Sequence, residues 1–426
     1  MRRSSFICLM CAVALVLCCT LQSSAASKRV ELRLLTYTNP VGNDVQKEII
    51  AEFERRNPNI KVTIEDVPWR ELFRRIAISV ASDDPPDILH VDGPLVASYA
   101  HMGVLLPLDQ YFTQKEIQAF VAPSVQEGSY KGVFYAAPER QSALGVFYNV
   151  EMMKKAGITP PSNTKDGWTW AQALDVAKKL TRDQDGDGRN DVWGLVSGKQ
   201  KWQPYQVSTF HRSNGAPGSK TFLAISPDGT TVSGYLDSEE TIEALQFYQD
   251  LHAKWKVTPE NETPDMFENG MAAMLITPND EAGKLASFYP DFKWGVTPMP
   301  YMKTPFTHTG SLHYAVASKS RNPKEAAMFI KFLTIEMAKK TYEGYKQLPA
   351  VKALYDELPE YQSAPLKIYY DSMVKWGHPR VQSIGYREYE EVLYSSFKDI
   401  SLGADVRKTM KAAVAKINAE LSKYFK

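Results

Sequence analysis

Between residues 130 and 149 the chain makes a demand that few folds meet. Two small, β-prone apolar runs, 133–137 (Val-Phe-Tyr-Ala-Ala) and 144–148 (Leu-Gly-Val-Phe-Tyr), flank a polar segment of Pro138, Glu139, Arg140, Gln141 and Ser142. No two-residue Asn-Gly or Gly-X turn joins the runs, so the pair is not a hairpin. The spacing predicts one chain passing through a site, or from one domain into another. A helix opens at once from Glu151, and Gly157 is placed to end it.

The N-terminal third alternates strand and helix patterns. Residues 30–36 read as a first strand, 60–64 as a second and 88–91 as a third. Between them, Val45, Ile49, Ile50 and Phe53 share one helical face, and Leu72, Phe73, Ile76 and Val80 share another. Such alternation implies crossover units on a mostly parallel sheet flanked by helices. Ligands on such sheets bind beyond the carboxyl ends of strands, here at Tyr37 and Asp92. A second cycle follows. Thr169 and Gln172 form a capping box before a helix carrying Trp170, Leu174 and Ala177. Residues 238–255 form a helix, 272–276 a short strand, and Asn322-Pro323 opens a helix running through Phe329, Ile330 and Leu333. Residues 405–425 close the chain as a long amphipathic helix. With no flexible linker between the cycles, the expected fold class is α/β with two lobes joined by more than one chain crossing.

The length of 426 residues suits two or three domains. Residues 1–26 predict an export signal: Arg2 and Arg3, an apolar run 6–17 too short to span a bilayer, and Ser24-Ala25-Ala26 at the cleavage site. All four cysteines, Cys8, Cys11, Cys18 and Cys19, fall inside it, so the mature chain has no thiol chemistry and no disulfides. Lipid anchoring at Cys18 or Cys19 is disfavoured, because Leu17 and Cys18 precede them where a lipoprotein signal has a small residue. The mature chain carries 48 basic and 49 acidic side chains and no basic tract, which argues against nucleic acid as a partner.

The sharpest local motif is Asp183, Asp185, Asp187, Arg189 and Asp191. Carboxylates stand at positions 1, 3, 5 and 9 of a calcium loop, Gly188 at position 6, and Arg189 offers a carbonyl at 7. Position 12 is Gly194 rather than Glu. A structural Ca²⁺ is the expectation. The sequence contains no Gly-x-Ser-x-Gly elbow, phosphate loop or His-Glu-x-x-His. Glu139 and Asp280 are the candidates for a glycosidase carboxylate pair. Trp202, Gln203 and Tyr205 share one loop, Gly310 and Ser311 precede an apolar strand, and Trp376 and Arg387 lie in a segment rich in Gly, Pro and Tyr. Flat aromatic faces with polar groups at the rim suit a sugar ring.

Phe53-Glu-Arg-Arg-Asn-Pro58-Asn-Ile-Lys-Val62, Pro86-Asp87-Ile88 and Gly103-Val-Leu-Leu-Pro-Leu-Asp109 appear in order along the chain. Tyr130-Lys-Gly-Val-Phe-Tyr, Phe147-Tyr148-Asn149, Phe267-Glu-Asn-Gly-Met-Ala-Ala-Met274 and Pro323-Lys-Glu-Ala-Ala326 continue the series. In this the chain resembles the carbohydrate-binding, maltose-binding-protein-like group of solute-binding proteins that serve ABC importers. The resemblance implies a monomer of two lobes closing on a ligand by a hinge. The first lobe is expected at 27–138 plus 305–335 and the second at 139–304 plus 336–426. Crossings are expected near 138–142, near 298–305 and just after Leu333.

The resemblance also implies a binding set: Tyr37, Trp69, Asp92, Arg140, Gln141, Ser142, Trp202, Gln203, Tyr205, Asn279, Asp280, Gly310, Ser311, Tyr345 and Arg387. Val91 and Asp280 stand where maltodextrin-binding members carry stacking Trp. The implied function is capture of a sugar or oligosaccharide, without catalysis, for delivery to transmembrane permease subunits from a periplasmic or extracytoplasmic location. Two alternatives are a secreted calcium-dependent carbohydrate-active enzyme and a binding protein for glycerol phosphate or polyols.

Overall fold

The computed structural model describes residues 29–39, 42–81, 85–198 and 201–425. The expected export signal lies outside these residues. Strand β1 (Val30–Tyr37) runs parallel to β2 (Ile60–Val67) on one side and β3 (Ile88–Asp92) on the other. The helices Gly42–Arg56 and Trp69–Ala81 make the two crossovers. Their expected faces are the buried ones: Ile49, Phe53, Leu72 and Ile76 are almost fully enclosed. Phe53 meets Phe329 of the helix Pro323–Lys331 edge to face at 5.0 Å.

Beyond β3 the long strands pair antiparallel. Strand β9 (Thr307–Val316) pairs antiparallel with β3, and β6 (Ala136–Asn149) pairs antiparallel with β9. The short edge strand β10 (Leu348–Pro349) lies against Gln141 and Arg140. The three-residue β11 (Gly377–Pro379) runs parallel to the start of β9. The result is a mixed sheet, because β6 and β9 enter by returning from the other half of the chain rather than through a crossover helix.

One strand, β6, takes up the end of the first run from Ala136, the whole polar segment and all of the second run. Residues 136–143 of β6 pair with β9, and residues 144–149 pair on both sides with β7 (Met274–Pro278) and β8 (Trp294–Pro298). Val133 is not part of this strand. Val133–Phe134 (β5) instead forms a small hairpin with Ser129–Tyr130 (β4). Pro138 has no N–H to donate, and the register with β9 slips between Pro138 and Arg140. The strand absorbs its polar residues because each finds a buried partner, and 12 of its 14 residues are buried.

Three other boundaries move. The strand expected at 272–276 forms two residues later, as β7. Gly310 and Ser311 lie inside β9 rather than ahead of it, held by pairing with Ser142 and Gln141. The helix Ala338–Tyr345 packs on Gly42–Arg56 and β10 pairs with β6, so residues 338–349 stay with the first sheet beyond the crossing expected just after Leu333.

The second half is built around the helix Trp170–Leu180, whose capping box closes as expected between Thr169 and Gln172. Trp170 stacks on Phe210 of the helix Pro204–Asn214 at 4.0 Å. The helices Glu239–Ala253, Tyr386–Ser401 and Val406–Leu421 complete this core, the last burying Val406, Met410, Val414, Ile417 and Leu421. Among the described residues, no helix is long and apolar enough to cross a membrane.

Gly194 packs directly on the helix Trp170–Leu180. A Cβ there would lie 2.2 Å from the Ala177 carbonyl oxygen, a backbone atom that cannot swing aside. Gly194→Ala is expected to lower stability by about 1–3 kcal/mol through overpacking. The check is a urea titration showing an earlier midpoint at unchanged slope; an unaltered midpoint contradicts the packing.

Candidate binding cleft

Tyr37 ends β1, Asp92 ends β3, and Trp69 opens the helix that follows β2, so the first sheet delivers all three to its carboxyl edge. The polar centre of β6 meets them there. Together they line a cleft of about 560 Å³, with Arg140, Gln141, Ser142, Gly310 and Ser311 as its floor and Tyr205 and Asp280 on the far wall. Pro278, His308, Leu312, Gln347 and Arg380 also line it.

Arg140 is 4% exposed and would be a costly buried charge without partners. Its two terminal nitrogens have them, while the buried Nε makes no hydrogen bond. Its guanidinium donates to the Glu139 carboxylate and to the Tyr37 hydroxyl, and its Cζ lies 4.1 Å from the centre of the Tyr345 ring. Glu139 also accepts from the Tyr314 hydroxyl at 2.9 Å, and Tyr314 in turn accepts from Gln46. His90 stacks on Tyr314 at 4.2 Å and bonds through Nδ1 to Thr36 at 2.8 Å. Burial, reinforced by Arg140, holds His90 well below its usual range, so it is neutral. This network aims the Tyr37 ring, which meets Trp69 edge to face at 5.0 Å. Trp69 itself is 38% exposed, an aromatic face open to a ligand.

A second ion pair stands opposite. Arg380 donates through both terminal nitrogens to Asp92, one bond at 2.9 Å. Its Nε lies 3.9 Å from Glu127. Glu127 accepts from the Ser311 amide at 2.9 Å and from the Ser311 hydroxyl. Ser142 donates to the Gly310 carbonyl at 3.0 Å, and Gln141 to Ser124 at 2.8 Å. A Cβ on Gly310 would lie 2.9 Å from His308, so glycine is what lets His308 sit against the strand. Burial, then Arg380 and Arg212, hold His308 well below its usual range, and the neutral ring packs on Tyr205 at 4.8 Å.

Ten of the expected binding residues converge here: Tyr37, Trp69, Asp92, Arg140, Gln141, Ser142, Tyr205, Asp280, Gly310 and Ser311. Tyr345 lies behind Arg140 as a packing face. Asn279 is buried, and its Oδ1 accepts from the Ala143 amide at 3.3 Å. Gln203 is the N-cap of the helix Pro204–Asn214, and its side chain makes no capping bond. Three expectations are corrected. Trp202 adopts a left-handed turn (φ 70°), donates to Ser401 at 2.8 Å and packs edge-on against Tyr394, on the helix Tyr386–Ser401. Trp376 is a core residue wedged against Gly167 and Tyr301. Arg387 is exposed, and the arginine that this segment contributes is Arg380. Arg380 escaped notice because β11 has three residues and no readable period, yet its pairing with β9 fixes Arg380 beside Gly310.

Glu139 does not pair with Asp280 across a substrate position. Its carboxylate is 2% exposed and is taken up by Arg140 and Tyr314. Elsewhere, Asp183, Asp185 and Asp187 bring ligand oxygens within 4.8 Å of one another on an exposed loop. Asp183 accepts from the Gly186 and Gly188 amides at 2.6 and 2.8 Å. Asp191 accepts from the Gln184 amide at 2.6 Å and is turned into the loop's own bonding. Arg189 donates its amide to Asp187 at 2.8 Å. The contact of Gly194 with Ala177 explains why no bidentate Glu can occupy position 12.

Burial first, opposed by Arg380 and Ser311, raises the Glu127 carboxyl to about 7. A raised carboxyl binds its proton in the folded state while the unfolded chain has released it. Its contribution is therefore full below about pH 4.5 and is lost as pH rises through 7. Glu127→Gln removes this slope, so the variant should gain on the parent from pH 5 to pH 7.5, by at most about 1.4 kcal/mol per unit. Denaturant titrations of both proteins at the two pH values check this; a constant difference refutes it.

The bacterial extracellular solute-binding protein profile matches residues 38–340, well over half of the chain. A binding protein of Brucella abortus (strain 2308) is 25% identical over 326 residues, 74% of each chain. The arabinooligosaccharide-binding protein of Bacillus subtilis (strain 168) is 24% identical over 370 residues, 81% of this chain and 78% of its own. An ABC substrate-binding protein from Listeria monocytogenes, solved in complex with cycloalternan, superposes with a TM-score of 0.75 at 23% identity, over 92% of this chain and 99% of its own. That likeness shows the two-lobe α/β fold described above. With its sheet, its cleft and its matched span all in agreement, the chain belongs to the bacterial extracellular solute-binding protein family.

Proposed function

We propose that the protein is the non-catalytic binding component of an ABC importer, which captures a sugar or oligosaccharide in the cleft and hands it to transmembrane permease subunits. The observation that carries this is the charge balance of the cleft. Arg140 and Arg380 are each neutralised in place, by Glu139 and by Asp92 with Glu127. What remains for a ligand is the Trp69 face and a rim of hydroxyl, amide and carboxylate groups, the equipment for an uncharged polyhydroxyl ring. A dianionic glycerol phosphate finds no spare cation in this lining, and Glu139 is enclosed too fully to act on a glycosidic bond. The relatives named above for oligosaccharide ligands support the same reading.

In this proposal residues 1–26 direct export to a periplasmic or extracytoplasmic site, and the mature chain works as a monomer. Residues 27–138 and 305–335 form the first lobe, and 336–349, whose helix Ala338–Tyr345 packs on the helix Gly42–Arg56, move with it. The remainder forms the second lobe. Ligand shifts the population toward the state in which both walls touch it. A Ca²⁺ held by Asp183, Asp185, Asp187 and the Arg189 carbonyl serves as a structural brace, not a reactant.

Titration with a panel of neutral sugars and oligosaccharides is expected to give saturable binding with the ligand recovered intact; turnover defeats the proposal. Trp69→Ala should weaken that binding by roughly tenfold or more, as loss of an aromatic anchor does. Trp202→Ala should leave it unchanged, and the reverse ranking would relocate the cleft. Calcium at a hundredfold excess over its Kd should stabilise the fold by about 2.7 kcal/mol. A melting midpoint that EDTA fails to lower removes Ca²⁺ from the account.

A further inference from the structure

Behind the Tyr205 wall of the cleft lies a small cavity of about 20 Å³, which shares Tyr205, His308 and Arg380 with the cleft. Arg212, near the end of the helix Pro204–Asn214, lines this cavity and not the cleft. It is more than nine-tenths buried. Its Nε donates to the Phe222 carbonyl at 2.8 Å, its Nη1 donates to the Pro379 carbonyl at 3.1 Å, and its Cζ lies 4.5 Å from the centre of the Phe306 ring. These partners bring partial charges only. Among the described residues Arg212 forms no ion pair, and its Nη2 has no acceptor. The carboxylates nearby are spent elsewhere: Asp92 and Glu127 face Arg380, and Glu390 accepts from the Tyr386 hydroxyl at 2.9 Å.

Two further donors in the lining are unused. Ser208 stands one turn before Arg212 on the same helix face, and Tyr389 comes from the helix Tyr386–Ser401. Both are more than nine-tenths buried, and among the described residues neither hydroxyl makes a hydrogen bond. Burial pushes the Arg212 guanidinium down to about 10, with only Tyr389 acting against it, as befits a cation short of a counter-charge. An enclosed charge is expensive unless an opposite charge meets it.

We propose that this cavity is a site for a small inorganic monoanion, chloride by size and charge, held by Arg212, Ser208 and Tyr389. A cavity of this volume admits one atom-sized guest, which leaves no room for a phosphate group or a sugar carboxylate. Water would satisfy the unused donors but not the charge; a halide ion answers both. Because Tyr205 and His308 line both spaces, the ion braces the wall of the cleft from behind.

The test follows the melting midpoint of the purified protein at constant ionic strength while sodium chloride replaces sodium gluconate, whose anion is too large to enter. The midpoint should rise saturably, by about 2 °C at tenfold excess of chloride over its Kd. Arg212→Met should abolish the rise, and Ser208→Ala should raise the chloride concentration needed for it severalfold. Crystals soaked in bromide should show its anomalous signal beside Arg212, a reading that stands even if Arg212→Met fails to fold. No rise in the parent protein, or a rise that persists in Arg212→Met, overturns the site. Bromide beside Arg212 without the rise marks an adventitious ion only and overturns it equally. None of these measurements involves a saccharide, so their outcome is independent of the ligand assigned to the cleft.

Discussion

The ion pair between Glu139 and Arg140 is the interaction on which this architecture rests. Strand β6 must pass through the middle of the molecule, where water is excluded, and yet it carries polar groups at its centre. An unpaired guanidinium there would cost several kcal/mol. Adjacent opposite charges remove that cost locally, and the Tyr37 and Tyr314 hydroxyls add one hydrogen bond to each partner. Because the pair is satisfied within the protein, the strand continues, both sheets are anchored to it, and the binding surface forms where they meet.

The same principle of internal neutralisation recurs at Arg380, Asp92 and Glu127. These ion pairs are positioned by three separate segments of chain, yet they converge on the floor of one cleft. Their role is to hold donors and acceptors at fixed angles while leaving the lining with little net charge to offer an anion. Hydrogen bonds to ionised groups are directional and strong, so a ligand rim built from them discriminates by shape and hydroxyl placement rather than by charge.

Much of this was legible in the sequence. The three first-lobe strands, the faces of the helices Gly42–Arg56 and Trp69–Ala81, and the Thr169–Gln172 box follow from periodicity and local capping, which act over a few residues. Arg140, Gln141 and Ser142 were legible because a polar stretch between apolar runs has few places to go. Failures came where long-range pairing decides. The fate of Trp202 depends on Ser401 and Tyr394, some two hundred positions away in the chain, and Arg380 is placed by a three-residue strand paired to β9. The true extent of β6 was hidden because its alternation is erased when both faces are covered.

That one strand belongs to two sheets also limits how such a cleft can change over time. Hydrogen-bond ladders on both of its edges lock register along its length, and side chains point alternately up and down. Adding or deleting one residue between Glu139 and Gly145 would therefore invert every side chain on one half relative to the other. A lineage cannot tune this pocket by altering the length of its floor. New ligand preferences must arise by exchanging side chains in place, or by remodelling the walls supplied by the neighbouring loops, and the floor itself stays a fixed ruler against which those changes are measured.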